Sequence, residues 1–393
     1  MEKRSQNITA LIIDSNVLMR RILSSMLQKE KGVMVSDSTG NSSFEWVESK
    51  IKDNQPDLLF LGVDRTDSDK MKLFYQLRNA FPDLHIVLLT LLNEDGAKVA
   101  LQGLKNGAID YITKPEKNRG LILADRHFHK RVISLLKSIP KFNGKNGSVL
   151  TNISDRKVSK EFFKDVGHMN PVSIELVVIG SCMGGVSSIY QILAALPENL
   201  SVPVIIVQHM PKIYTQCFSN DLNGITRLTV EEAKNDVVLE PGTVYVAPGG
   251  FHTVIKNEGG RKRIMLHKGP REHKCRPSID VLLRSAVQEY GDRVLGIFLS
   301  GGGNDGVLGA LKILEHGGVV LLESRESALI SDLAMKVKYL NSEIREVSAD
   351  KMSKEIMKCI KSADQKNTHR FTMQDLNTSN RYYEQFKQIF GNH

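Results

Sequence analysis

The feature that most limits what this chain can become is a rhythm of short apolar runs. From Thr9 onward, stretches of Val, Ile and Leu alternate with amphipathic segments: TALII, VLMRRILSSMLQ, VMVS, a segment bearing Trp46, DLLFLGV, MKLFYQLRNAF, HIVLLT, GAKVALQGLKNG, IDYIT and LILADRHFHKRVISLLK. Strands buried on both faces read as continuous apolar runs, and right-handed crossovers place the intervening helices on both sides of a parallel sheet. Five strand-helix units fit, which predicts a small doubly wound domain ending near Ser138. A second alternation runs through SIELVVIG, VPVIIVQHM, TVYVAPGG, the hairpin-like FHTVIKNEGGRKRIMLHKG, SIDVLLRSAVQEYG, VLGIFLSGG and GGVVLLES, and predicts another α/β domain closing near Ser362.

The expected organisation is therefore two doubly wound parallel-sheet α/β domains at 1–138 and 172–362, a linker at 139–171 and a tail at 363–393. A chain of 393 residues is too long for one ordinary core. The linker, containing PKFNGKNGSVLTNISDRK, has no sustained apolar period. In the tail, Tyr383, Phe386 and Phe390 share one helical face, expected to dock on the protein's own body.

Charge and composition exclude several classes. A content of 41% hydrophobic and 25% charged residues is that of a globular chain. The net charge of +9 is concentrated between Lys114 and Asn170, which hold 13 Lys and Arg against 5 Asp and Glu. That pattern describes a basic linker rather than a nucleic-acid surface, with a tether for acidic partner surfaces as the sharper alternative. No run approaches the roughly 18 apolar residues of a membrane span, and Met1 to Asn7 is polar, so no membrane insertion and a cytoplasmic location are expected. Cys182, Cys217, Cys275 and Cys359 show no C-x-x-C spacing, which speaks against a disulfide framework or zinc ribbon.

Ligands of doubly wound sheets sit at the carboxyl ends of strands. In the first domain those positions are Asp14 and Ser15, Gly62, Thr90 and Lys114. An acid after strand one, a strand-end Thr, and a strand-end Lys followed by Pro115 resemble a response-regulator receiver domain over residues 8 to about 138. The resemblance implies an acceptor aspartate where this chain has Gly62, and a second metal-holding acid where it has Ser15. Asp14 is then the one obvious carboxylate left for a hard cation, and glycine cannot be phosphorylated. Asp64, two residues on, is expected to fall in the turn. Two readings of this domain stay open: a docking or inhibitory surface, and a fold kept for packing.

Three strands of the second domain end in residues capable of chemistry. ELVVIG leads into Ser181-Cys182-Met183-Gly184-Gly185, a turn of small residues that can raise a side chain into a pocket and that puts Cys182 near a helix N-terminus, where thiolate is favoured. VPVIIVQ leads into His209, a candidate base. VLGIFLSGGGN leads into Asp305, a candidate orienting acid, and the amides near Gly301, Gly302 and Gly303 are candidate oxyanion donors, an interaction worth about 3 to 4 kcal/mol in a transition state. Taken singly, the motifs have plainer readings: a dinucleotide turn, though G-x-G-x-x-G spacing is lacking; a phosphate nest; core thiols; a structural histidine. Their occurrence at three strand ends favours a Cys-His-Asp set.

IGSCMGG, VQHMP, PSIDVLL and LSGGGNDG, in that order after a receiver-like domain, resemble the chemotaxis protein-glutamate methylesterase (CheB) family over most of residues 8 to 362. The resemblance implies that Cys182 stands where the family has its nucleophilic Ser, with His209 as base and Asp305 as orienting acid. It further implies hydrolysis of glutamate methyl esters on chemoreceptor helices, with glutamine deamidation in many members. The family's usual G-A-S-T-G-G is here G-S-C-M-G-G, Ser181 lies one residue early, and Gly302 replaces a usual Met. His267, His273 and Cys275 in LHKGPREHKCRPS lack metal-site spacing and a fourth ligand, so neither metal nor cofactor is expected. The resemblance sets this loop beside the cleft, where Arg271, His273, Lys274 and Arg276 meet acidic receptor helices. The expected activity is thus a thiol esterase not switched by receiver phosphorylation. The alternatives are a non-catalytic scaffold binding receptors or the chemotaxis kinase complex, and redox control through Cys182.

Overall fold

The computed structural model describes residues 8–115, 126–138 and 173–361. The tail with Tyr383, Phe386 and Phe390, and the linker at 139–171, lie outside them. The chain divides into two compact units, Met1–Arg156 and Lys157–His393, each taken by itself.

The first unit runs β1 (Ile8–Ile13), α1 (Val17–Lys29), β2 (Val33–Thr39), α2 (Phe44–Asn54), β3 (Leu58–Gly62), α3 (Asp69–Ala80), β4 (His85–Thr90), α4 (Glu94–Lys105), β5 (Asp110–Thr113) and α5 (Arg126–Ser138). Its five strands form a parallel sheet in the order β2-β1-β3-β4-β5. β3 is buried throughout, as its LLFLG sequence requires, whereas edge strand β2 (VMVSDST) stays partly exposed. Helix starts follow local chemistry: the side chains of Asn16, Ser68 and Asn93 each accept from N–H groups of the first turn that follows.

The second unit runs β6 (Leu176–Ser181), α6 (Val186–Ala195), β7 (Val204–Gln208), α7 (Lys212–Asn223), β8 (Thr229–Glu232), β9 (Val237–Val238), β10 (Thr243–Val246), β11 (His252–Glu258), β12 (Arg261–His267), α8 (Ile279–Tyr290), β13 (Val294–Phe298), α9 (Val307–Glu315), β14 (Val319–Glu323), α10 (Asp332–Leu340), β15 (Arg345–Val347) and α11 (Ala349–Lys361). The main sheet is parallel in the order β15-β14-β13-β6-β7-β10-β8, and the hairpin β11-β12 extends through β9 into a small antiparallel sheet. The two edge strands, TVEE and REV, are short and polar, and the apolar-run rule therefore passes over them. No helix among the described residues is long and apolar enough to cross a membrane.

Strand order fixes where each unit offers a cleft. In the first, the chain leaves β1 toward β2 and returns on its other side at β3. In the second, it leaves β6 toward β7 and returns at β13. Ligand crevices of such sheets open at the carboxyl ends of the strands at this reversal. Asp14 and Gly62 flank the first reversal; Cys182 and Asp305 follow the strands that make the second.

Candidate active site

The nucleophile turn is built by glycines. Gly184 has φ +80°, and a Cβ there would lie 2.7 Å from both Ser300 Oγ and Leu329 Cβ. At Gly185 a Cβ would meet Ser181 Oγ at 1.8 Å, so the Ser181 hydroxyl fills the glycine's space and is fully buried. Cys182, one residue on, is partly exposed. The Cβ of a residue at 301 would come within 2.9 Å of Cys182 Cβ, which fits the glycine found there. Helix α6 is capped by Gly185, so Cys182 precedes its first turn rather than beginning it.

Register brings the base alongside. Ser181 pairs with Gln208, which puts Cys182 and His209 next to one another, and the His209 N–H donates to the Ser181 carbonyl at 3.2 Å. Gln208 Nε2 pins the Cys182 carbonyl at 2.7 Å. His209 Nε2 then meets Asp305 Oδ2 at 2.8 Å.

Asp305 is gripped by the start of α8. Ser278, the helix cap, donates its hydroxyl to Oδ1 at 2.6 Å; the Ile279 N–H donates to Oδ2 at 2.8 Å and the Asp280 N–H to Oδ1 at 3.1 Å. A carboxylate at a helix N-terminus is held by free N–H groups and by the helix dipole. Burial opposes the Asp305 charge, but the hydrogen bond and charge of His209, with the bonds from Ser278 and Asp280, outweigh it and lower the pKa. For His209, burial opposes protonation, yet the thiolate charges of Cys275 and Cys182 and the Asp305 bond raise its pKa well above the ordinary value. An ionised carboxylate can only accept, so Nε2 carries the proton in the neutral ring and the Nδ1 lone pair faces away from Asp305.

Two sulfurs face that ring. Cys182 is within side-chain hydrogen-bonding reach of His209, and Cys275 Sγ lies 3.7 Å from Nδ1. Sequence reasoning placed Cys275 only in a substrate loop. The available signal was its position three residues ahead of Ser278, which caps the helix that holds Asp305.

The other expected residues fall as follows. The Gly301 N–H donates to Ile330 O at 2.9 Å and the Gly303 N–H to Asp332 Oδ2 at 3.0 Å, which corrects the expectation that these two amides stand ready for an oxyanion. His273 Nε2 turns inward to Asp280 Oδ2 at 3.1 Å, and Arg276 Nη1 binds the carbonyls of Lys268 and Gly269 at 3.1 and 2.8 Å. Both are bound to the protein's own groups, unlike their expected role in meeting substrate. Arg271 and Lys274 are exposed. His267 stacks near His252, with ring centroids 5.3 Å apart.

In the first unit Lys114 Nζ lies 2.9 Å from Asp14 Oδ2 and 2.7 Å from Asp64 Oδ1, and its N–H donates to the Thr90 carbonyl at 2.7 Å. Asp64 lies past the end of β3, as expected, yet its carboxylate turns toward the pocket lysine. The Asp14 carboxylate lies over Gly62, where a Cβ would fall 2.0 Å from Oδ2. Ser15 is exposed.

Comparison with known proteins agrees with this architecture. Residues 177–356 match the family model described as CheB methylesterase, and residues 10–124 the response regulator receiver domain. A protein-glutamate methylesterase/protein-glutamine glutaminase of Trichodesmium erythraeum is 31% identical over 320 residues, covering 81% of this chain and 90% of the relative. One of Thermotoga maritima is 29% identical over 330 residues, covering 84% and 92%. The crystal structure of the Thermotoga maritima CheB methylesterase catalytic domain shares 33% identity, covering 48% of this chain and 99% of that one, with a TM-score of 0.46. The identity to the Trichodesmium relative, sustained across both units, shows that the chain belongs to the CheB family of protein-glutamate methylesterases/protein-glutamine glutaminases.

Proposed function

We propose that this chain hydrolyses glutamate methyl esters, and the corresponding glutamine amides, on the cytoplasmic helices of chemoreceptors, with Cys182 as nucleophile, His209 as base and Asp305 as orienting acid. The observation that carries the reading is the 2.8 Å contact of His209 Nε2 with a helix-held carboxylate, with Cys182 in reach of the same ring. The Cys182 thiolate attacks the ester carbonyl carbon. The oxyanion is met by the N–H of Met183, the residue after the nucleophile, and by that of Gly302; neither has a partner among the described residues. The imidazolium at Nδ1 gives its proton to the departing methoxide, releasing methanol and leaving a thioester. Nδ1 next takes a proton from water, which attacks the thioester and frees the glutamate carboxylate. With a glutamine substrate the leaving group is ammonia.

Regulation through aspartyl phosphorylation is absent in this proposal, because the strand-end position holds Gly62 and the Asp14 carboxylate fills the space above it. Acetyl phosphate is expected neither to label the protein nor to raise turnover. Labelling lost in Asp64→Asn would instead make Asp64 a displaced acceptor and overturn this part.

The deciding experiment is methanol release from methylated receptor by the wild type, Cys182→Ala and Cys182→Ser. Turnover abolished in the alanine variant supports the assignment, whereas unchanged turnover rejects it. Receptor binding without methanol release from the wild type, together with activity gained in Cys182→Ser, would make the chain a scaffold around a serine-shaped site.

A further inference from the structure

Beside the base, the surface gathers positive charge around one aromatic ring. The ammonium groups of Lys212 and Lys268 lie over Phe251, 5.7 and 5.1 Å from its ring centroid. The ring is fixed from two sides. The loop before it lies against the start of α7: a Cβ on Gly249 would fall 2.4 Å from Lys212 N and 2.6 Å from Met210 O, and the Gly249 N–H donates to Thr215 Oγ1 at 3.0 Å. On the other side, the Gly250 N–H donates to Arg276 O at 3.0 Å, and the Arg276 guanidinium binds the carbonyls of Lys268 and Gly269. Met210 directly follows His209, and Arg276 directly follows Cys275, whose Sγ lies 3.7 Å from His209 Nδ1. The ring and its two cations therefore stand at the rim of the proposed catalytic cleft.

Both lysines are exposed, and neither pairs with a carboxylate among the described residues. The one acid of the loop that carries Lys268, Arg271, Lys274 and Arg276 is Glu272, and Arg284 already takes it. Lys212 opens α7, where the helix dipole disfavours a cation, so the fold gains nothing from its charge. Two ammonium groups drawn to one ring repel each other, and an anion set between them replaces that repulsion with two attractions. We propose that Lys212 and Lys268, gathered by Phe251, recognise a carboxylate flanking the ester in the substrate, so that acidic helical segments are hydrolysed in preference to neutral ones. Exposed charges pair weakly, and each lysine is worth about two- to fivefold in KM. Hydrolysis of one ester leaves a carboxylate of the kind this site binds, so a partly demethylated segment becomes a better substrate for its remaining esters. The choice of substrate rests on the esterase reading; the anion site does not.

The test gives the full chain two synthetic helical peptides, each bearing one glutamate methyl ester, flanked in one by glutamates and in the other by alanines. Wild-type kcat/KM for methanol release is expected to be roughly tenfold higher on the acidic peptide, mainly through KM, with the ratio shrinking as salt is raised. Lys212→Glu combined with Lys268→Glu should abolish the preference, and Lys212→Arg combined with Lys268→Arg should keep it. Lys268→Ala, a truncation of an exposed side chain, should lower the ratio about two- to fivefold. Hydrolysis of the alanine-flanked peptide reports the folding and catalysis of each variant, so a general defect lowers both rates and leaves their ratio alone. Equal wild-type rates on the two peptides, or a preference that survives both the double reversal and Lys268→Ala, overturn the proposal. A wild type that releases no methanol from peptide or receptor fails as an esterase, and fluorescence anisotropy of the labelled acidic peptide, with glutamate in place of the ester, then decides the site alone. Binding weakened by roughly fivefold or more in the double reversal upholds it, and equal binding overturns it.

Discussion

Gly62→Ala tests whether the receiver pocket is filled by its own aspartate. The substitution adds one carbon, 2.0 Å from Asp14 Oδ2 and 2.4 Å from Asp14 Cγ, so the carboxylate must leave. Leaving breaks the 2.9 Å pair with Lys114 and the 2.8 Å bond that Asn16 N–H donates to Oδ1. Breaking a buried ion pair costs about 3 to 5 kcal/mol, and the low end applies because Lys114 keeps Asp64 at 2.7 Å. Alanine restricts the unfolded chain and offsets about 0.5 to 1 kcal/mol, so the net loss is about 2 kcal/mol. Trp46, the only tryptophan, lies in α2 of this unit and makes urea unfolding of the full chain a local reading. With a slope of about 2 kcal/mol per molar, the Trp46 midpoint falls by about 1 M. In an Asp14→Ala background the remaining contact is between two Cβ atoms at 3.0 Å, relieved by a small shift, and the same change should cost under about 1 kcal/mol. Additive effects of the two substitutions, or an unmoved midpoint in Gly62→Ala, would refute the filled pocket.

The other predictions concern the second unit. Gly301→Ala places a carbon 2.9 Å from Cys182 Cβ, and a displacement approaching 1 Å should lower kcat by roughly 10- to 100-fold with a smaller change in KM; an unchanged kcat contradicts the proposed closeness of loop and nucleophile. Ser181→Ala should leave methanol release near the wild-type rate, since the hydroxyl is buried against Gly185, and a loss matching that of Cys182→Ala would transfer the nucleophile's role. Glu323 is buried while accepting from Ser188, Ser300 and Ser327, and burial pushes its pKa above 4.5 despite those bonds. The native state therefore holds this proton more tightly than the unfolded chain. Stability relative to Glu323→Gln should be greatest below 4.5 and fall as pH rises through the raised value. Urea unfolding followed by circular dichroism on both sides of 4.5 checks this, and a gap that is flat or grows with pH contradicts it.

The two sheets were legible because their central strands carry nothing but their own burial: LLFLG, LVVIGS and VLGIF are apolar along their whole length. Residues that follow such strands lie toward the sheet's carboxyl edge, which is why Cys182, His209 and Asp305 could be read as candidates from the sequence. Which glycine amides of the loop stay unengaged was not legible, because what an amide already binds depends on distant partners. Gly301 and Gly303 are engaged by Ile330 and by Asp332, residues about 30 positions away in the chain. The contact of Asp64 with Lys114 was not legible for a related reason: past a strand's end, the direction of a side chain depends on partners distant in the chain.

Residues 275–280 tie the proposed orienting acid to the proposed base. Ser278, Ile279 and Asp280 fix Asp305 through three hydrogen bonds, while Cys275, on the same few residues, reaches the ring that Asp305 orients. A rotation of this segment would move the acid and the second thiol together, so neither the base's tautomer nor the sulfur's approach can change alone. His273 adds a further tie: it pairs with Asp280 at 3.1 Å, and that pairing raises its own pKa. His273 and Asp305 thus both contact the start of α8, where free N–H groups favour a carboxylate. In that arrangement the proposed task of Asp305 is to keep Nε2 protonated.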